Sequence, residues 1–215
     1  MRLVIFGPGG FGREILGIAR LSALRQFEAR QSPEVVFAAD VAGADVLGVP
    51  VIGVDELKAD DRIVLALGSS QARREVAERL RHIPAGQLIA PSAVIGPDVT
   101  IGEGAVICDH CTVTASAVIG RHFQCNIYSY VAHDCRIGDF VTFAPRVSCN
   151  GNIHVEDGAY IGTGAVIKQG TPDRPTVIGA GAIVGMGAVV TKDVAPGATV
   201  VGNPARPLEP RPRQA

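Results

Sequence analysis

The sequence predicts a mainly β protein, a left-handed parallel β-helix, and three observations predict it. Every sixth residue from Ile89 is apolar: Ile89, Ile95, Ile101, Ile107, Val113, Ile119, Cys125, Val131, Ile137, Phe143, Cys149, Val155, Ile161 and Ile167. The residue four later is small or apolar almost throughout, as at Ala93, Ala105, Cys111, Ala117, Cys135, Ala159 and Ala165, while the second residue of the hexad is repeatedly glycine, as at Gly96, Gly102, Gly120, Gly138 and Gly162. The chain also carries 26 glycines and no tryptophan, which suits thin, tightly turning coils better than a bulky aromatic core.

Six residues make a short strand and a corner, and three hexads make one triangular coil. The first residue of each hexad points inward and stacks on its equivalent eighteen residues on, the small residue fits the crowded corner, and glycine is expected to relieve backbone strain there. An amphipathic helix would need a period of 3.6, which six does not match. The frame breaks once. After Ile167 the next hexads begin at Ile178, Val184 and Val190, so residues 168–177 carry five extra residues, whose Gly-Thr-Pro-Asp-Arg-Pro run reads as an exposed loop. The hexads end near Val190, and the tail over 207–215 is Pro/Arg-rich and expected to be poorly ordered.

Residues 1–88 show no hexads and read as a separate, small Rossmann-like α/β unit, with the β-helix over 89–206. Leu3-Val4-Ile5-Phe6 is a buried strand, followed by the glycine turn 7–12 and a helix over 13–25. A second strand, Val35 to Ala39, ends at Asp40; a third runs from Ile63 to Leu67; a second helix spans 71–81. Strand–helix alternation predicts a small parallel sheet. The turn fits G-x-G-x-x-G between strand and helix, where Gly7, Pro8, Gly9 and Gly10 would let phosphates approach the backbone at a helix N-terminus. Asp40 is placed to meet a ribose or base edge. The unit is about half a dinucleotide fold, so a mononucleotide or nucleotide-sugar fits it better than NAD.

Net charge is −1, which argues against nucleic acid or an anionic membrane surface as partner. No 18-residue uncharged apolar stretch exists, so membrane insertion is not expected, and the apolar start is too short for a signal peptide. Five scattered cysteines do not form a disulfide framework and fit a reducing cytoplasm.

A β-helix of aliphatics and glycine has few groups able to do acid–base work. His133 lies beside the inward Val131 at a position that can face solvent or a neighbouring subunit, and an imidazole can take a proton from an amine or hydroxyl. Asp134 could orient it, but adjacent strand residues point to opposite faces, so the pairing requires a corner there. His82 reads as a surface residue. His110, His122 and His154 lack the close pairing that a zinc site needs, and Cys108-Asp109-His110-Cys111 reads as structural because Cys111 falls in the corner slot. No metal site is expected, and no G-x-S-x-G elbow is present.

The order of glycine turn, small α/β unit, hexads and terminal Val201-Gly202-Asn203-Pro204-Ala205 resembles the hexapeptide-repeat acyltransferases, in the branch of nucleotide-sugar N-acetyltransferases and sialic acid O-acetyltransferases. Its most specific piece is Asn126, then His133-Asp134-Cys135, Ile137-Gly138-Asp139-Phe140 and Cys149-Asn150-Gly151-Asn152. The resemblance implies His133 as general base helped by Asp134, Asn126 near the reacting groups, and Gly151 as oxyanion donor. It implies acetyl-CoA along the outside of the β-helix at Gly151, Gly162, Thr163, Gly185, Met186 and Ala188, with Lys192 near the phosphates, between subunits of a homotrimer. A second histidine frequent in the family is Thr142 here. The expected reaction is acetyl transfer to the amine of a UDP- or GDP-linked 4-amino-4,6-dideoxy sugar for surface glycan synthesis. O-acetylation of sialic acid, and a non-catalytic sugar-nucleotide binder, are the alternatives. Apolar Ile127, Tyr128, Tyr130 and Phe140 are expected to form one exposed cluster that a second subunit covers.

Overall fold

The computed structural model describes residues 2–26 and 34–208. The N-terminal unit is built on β1 (Arg2–Phe6), with α1 (Gly10–Gln26), β2 (Glu34–Ala39), β3 (Gly43–Val46), β4 (Val49–Gly53), β5 (Arg62–Leu65) and α2 (Ser70–Arg79). Strand order is β3-β4-β2-β1-β5, and β1 pairs in parallel with β2 and β5. Alternation along β1 sorts the core. Leu3 and Ile5 pack with α1 (Ile15, Leu16, Ile18) and with Leu88 and Ile107 of the β-helix, while Val4 and Phe6 pack with Leu80 and Ile83 beyond α2.

Three expectations are corrected here. The sheet is mixed, because β3 joins β4 antiparallel through a two-residue turn with left-handed backbone at Leu47 (φ 53°) and Gly48 (φ 69°). Leu47 gives no turn signal, so this hairpin was not legible. The first helix begins at Gly10 rather than residue 13, since the Arg13 N–H already bonds the Gly9 carbonyl at 3.0 Å. The second begins at Ser70 behind an N-cap, Ser69, whose hydroxyl accepts the Ala72 N–H.

From Leu88–Ile89 onward the chain winds through three faces of six, five and eight strands, parallel throughout except for the last strand of the eight. Equivalent rungs stack in register, as in Val113↔Val131↔Cys149↔Ile167↔Val190. Ile107, Val113, Cys125, Val131, Phe143, Cys149, Ile161 and Ile167 are fully buried, and each aliphatic in that column contributes about 1.5–3 kcal/mol. Ile89, Ile95 and Ile101 stay half-buried, being in the first coil with none beneath.

The corner chemistry differs from expectation. Left-handed backbone falls on the fourth residue of the hexad, and mostly on non-glycine residues: His110, His122, Tyr128, Asp134, Phe140, Arg146 and Asn152 have φ of 53–61°. The second-position glycines serve close approach instead. A Cβ on Gly96 would lie 1.4 Å from the Thr114 carbonyl oxygen in the coil above. Residues 168–177 do project, as a tight hairpin in which Thr171 and Arg174 exchange backbone hydrogen bonds of 2.9 and 3.1 Å. At the far end Thr199–Val201 pairs antiparallel with Arg206–Pro207, so the tail is ordered at its start. Residues 209–215 lie outside the described residues.

Candidate active site

His133 follows the six-stranded face, two residues beyond inward Val131, at the corner before the five-stranded face. The corner that the pairing needs is present: φ of Asp134 is 58°, and its carboxylate Oδ2 lies 2.7 Å from His133 Nδ1. With the carboxylate as acceptor, Nδ1 is the nitrogen that donates to it, which leaves Nε2 turned away from Asp134 as the free ring nitrogen. Both side chains are about half exposed, at 49 % and 52 %, so the pair is open to a substrate.

Gly151 stands one coil above, and a Cβ there would lie 2.5 Å from both Cε1 and Nε2 of His133. The imidazole therefore rests on the Gly151 backbone, whose N–H has no hydrogen-bond acceptor among the described residues. The insertion leaves from this same corner: Gly170 N–H donates to the Gly151 carbonyl and Thr176 N–H to that of Asn152, each at 3.1 Å. Lys192 lies above it by the register Ile167↔Val190.

The other expected cofactor residues stand elsewhere. Gly162, Thr163, Gly185 and Met186 follow the eight-stranded face, with Asn126 two coils below, at the opposite edge of the six-stranded face. Asn126 donates to the Phe143 carbonyl at 2.8 Å, and Met186 is 81 % exposed. Ala188 is buried, so only its backbone could meet a ligand. One hexad, on the order of 20 Å of extended chain, separates the two corners. A single chain does not bring these residues together.

The glycine turn stands at the carboxyl end of β1. Gly7 is left-handed (φ +105°), and a Cβ on Gly12 would lie 2.0 Å from the Gly7 carbonyl oxygen, so Gly12 serves helix–strand packing. Gly9 and Gly10 have open space where a side chain would be, leaving the start of α1 accessible beside Pro8. Asp40 is exposed and ion-paired with Arg79 at 2.5 Å.

The sequence reading missed Arg73. It sits on a polar helix with no pattern to mark it, yet it is fully buried between α2 and the β-helix. It donates to the carbonyls of Leu67 (2.6 Å), Phe140 (2.7 Å) and His122 (3.2 Å), and to Thr142 Oγ1 (2.9 Å) and Gln124 Oε1 (3.2 Å). Burial pulls its pKa down to about 10, so it stays charged at neutral pH. Thr142 is thus a structural partner of this guanidinium. The expected apolar cluster is also corrected: Phe140 is buried, stacked on His122 beneath Arg74, while Ile127 and Tyr128 are exposed on a different corner. His110 stacks on Tyr128 and His154 pairs in register with Arg136, so the three remaining β-helix histidines lie apart. Cys135 is buried, its thiol donating to the Asn150 carbonyl at 3.0 Å.

Comparison with known proteins decides the family. The chain is 46% identical to GDP-perosamine N-acetyltransferase of Escherichia coli O157:H7, over 97% of this chain and 96% of that protein. It belongs to the nucleotide-sugar N-acetyltransferases of the hexapeptide-repeat family. Residues 2–80 match the PglD N-terminal domain family. Among solved structures, WeeI from Acinetobacter baumannii AYE superposes with a TM-score of 0.90 at 47% identity, covering 97% of this chain and 100% of that one. PerB from Caulobacter crescentus, solved with CoA and GDP-perosamine, gives 0.83 at 29% identity, covering 97% and 98%. This N-acetyltransferase is therefore a left-handed β-helix enzyme with an N-terminal α/β unit, and it uses acetyl-CoA to acetylate amino-sugar nucleotides. Among the described residues no helix is long and apolar enough to cross a membrane.

Proposed function

We propose that the acceptor is a GDP-linked 4-amino-4,6-dideoxyhexose of the perosamine kind, acetylated on its 4-amine in the cytoplasm for surface glycan synthesis. The relatives named for GDP-perosamine support the nucleotide and the sugar, and five free cysteines suit a reducing compartment. The observation that carries the mechanism is the His133–Asp134 pair lying on the Gly151 backbone. His133 Nε2 accepts a proton as the amine nitrogen bonds to the thioester carbonyl carbon. The Gly151 N–H donates to the oxygen that becomes negative, and the C–S bond then breaks, with the proton passing to the leaving thiolate. Asp134 holds the ring and offsets the imidazolium charge.

The nucleotide rests at Gly7, Pro8, Gly9 and Gly10, where α1 presents free N–H groups to phosphate, and Asp40 meets the ribose or base. The two separated corners favour a shared site. In a closed trimer His133, Gly151 and Lys192 of one chain face Asn126, Gly162, Thr163, Gly185, Met186 and the Ala188 backbone of the next. The test is mass spectrometry of products from acetyl-CoA with GDP-perosamine, UDP-linked 4-amino sugars and free sialic acid, alongside thiol release. Acetylated GDP-perosamine is the expected product. Acetylation of sialic acid alone would overturn the assignment.

A further inference from the structure

We propose that Cys135 and Tyr130 are positioning residues for the transfer step, holding the Asn150–Gly151 peptide so that its N–H is a fixed and strengthened oxyanion donor; this rests on the acetyl-transfer reading above. A single peptide unit joins the groups concerned. Its N–H is that of Gly151, which has no acceptor among the described residues and lies beneath the His133 ring. Its C=O is that of Asn150, which accepts no backbone N–H among the described residues and takes the buried Cys135 thiol at 3.0 Å. The thiol's other neighbour, the His133 carbonyl, is farther at 3.6 Å and already accepts the Asn152 N–H at 3.0 Å. A donor on the carbonyl oxygen draws electron density through the resonant C–N bond, so the N–H at the other end becomes the better donor.

The Asn150 side chain fixes the same unit from outside. Tyr130 O–H donates to Asn150 Oδ1 at 2.8 Å, and Asn150 Nδ2 donates to the Ile167 carbonyl one coil above, also at 2.8 Å. Beyond the N–H, the Gly151 carbonyl is tied to the Gly170 N–H at 3.1 Å. The peptide plane is therefore set before any substrate arrives, the condition under which an oxyanion donor lowers a barrier without reorganising. Two other corners show which part of this is general. Ser129 stands in the same corner slot as Cys135 and its hydroxyl donates to the Ala144 carbonyl at 2.8 Å, but Pro145 follows and has no N–H to strengthen. Cys111 bonds the Asn126 carbonyl at 3.0 Å, but among the described residues no hydroxyl clamps the Asn126 side chain. Buried donor, tyrosine clamp and free glycine N–H come together beneath His133.

The test is steady-state kinetics of the full-length enzyme, both substrates varied, for Cys135→Ala, Cys135→Ser and Tyr130→Phe. Cys135→Ala should lower kcat about tenfold with both KM values unchanged. Cys135→Ser should recover most of that loss, since Ser129 shows that a serine hydroxyl in this slot reaches its carbonyl. Tyr130→Phe, at a half-buried position that folding tolerates, should lower kcat about threefold without moving the inflection that His133 gives the pH profile. Cys108→Ala, an equal loss of buried volume in another coil, should leave kcat unchanged. Wild-type kcat in Cys135→Ala or in Tyr130→Phe, or a serine variant as slow as the alanine one, would overturn the proposal while leaving acetyl transfer intact. A wild-type chain that acetylates no amino-sugar nucleotide would overturn both.

Discussion

Two adjacent residues in an extended strand cannot cooperate, and Asp134 shows how a β-helix escapes that rule. Its left-handed backbone turns the carboxylate back onto the His133 ring. Removing the base by His133→Ala should lower kcat by roughly 10²–10⁴ with little change in acetyl-CoA affinity, as steady-state kinetics with both substrates varied will show. Near-normal turnover would take His133 out of the mechanism. Gly151→Ala probes the surface beneath. The added methyl would occupy space within 2.5 Å of the imidazole, so the half-exposed ring must swing away. Turnover should drop by more than tenfold, whereas the melting temperature should barely move, because Gly151 has no positive φ to violate. A variant with full activity would show that His133 does not need this seat. The pair itself was legible as residues; its geometry was not, because the sign of φ at Asp134 depends on the corner closing.

Helix α2 and the fourth-position residues of one corner act as elements. Arg73→Met removes the donors for the carbonyls of Leu67, His122, Phe140 and Val141 and for Thr142 and Gln124 at once. Stranded buried acceptors should lower stability by about 3–5 kcal/mol, readable as a fall in denaturant midpoint, and should raise the nucleotide-sugar KM by loosening the turn at Leu67. An unchanged midpoint would mean the guanidinium is replaceable. His122 adds a pH effect. Burial between Gly104 and Phe140, followed by the charges of Arg121 and Arg73, pushes its pKa down to about 4, and Nδ1 has no hydrogen-bond partner among the described residues. Its neutral form is favoured in the folded state, so its contribution is complete above about pH 6.5 and is lost as pH falls from there toward 4. That loss amounts to at most about 3 kcal/mol. His122→Asn, which suits the left-handed backbone, should flatten the stability profile between pH 6.5 and 4.5; an unaltered acid limb would place the titration elsewhere. Neither effect was visible in the sequence, where nothing marks Arg73 on its polar helix and His122 reads only as a histidine without the close partner that a zinc site needs.

At the scale of the whole molecule, the residues that the family resemblance assigns to acetyl-CoA divide between two corners of the prism. On the proposed shared site, dilution to monomer, or substitution at exposed Ile127 and Tyr128 that yields monomer, should abolish transfer even while the β-helix stays folded. Light scattering measured alongside activity across a concentration series tests this, and a fully active monomer would sink the shared-site reading.

The hexad by itself determined the β-helix, the inward column and the place where the insertion breaks it, because a solenoid core is a local repeat: each coil buries the same position against the next. The strand–turn–helix start was legible for a similar reason, being written in contiguous residues, though the β3–β4 hairpin hid behind Leu47. The tertiary structure decided what depends on residues eighteen or more apart. It placed Arg73 inside and seated His133 on Gly151. It also moved Phe140 into a covered corner and set Asn126 and His133 at different corners of the same chain. Burial and side-chain direction at a corner are set by the coils above and below and by the packed N-terminal unit, and no single hexad contains them.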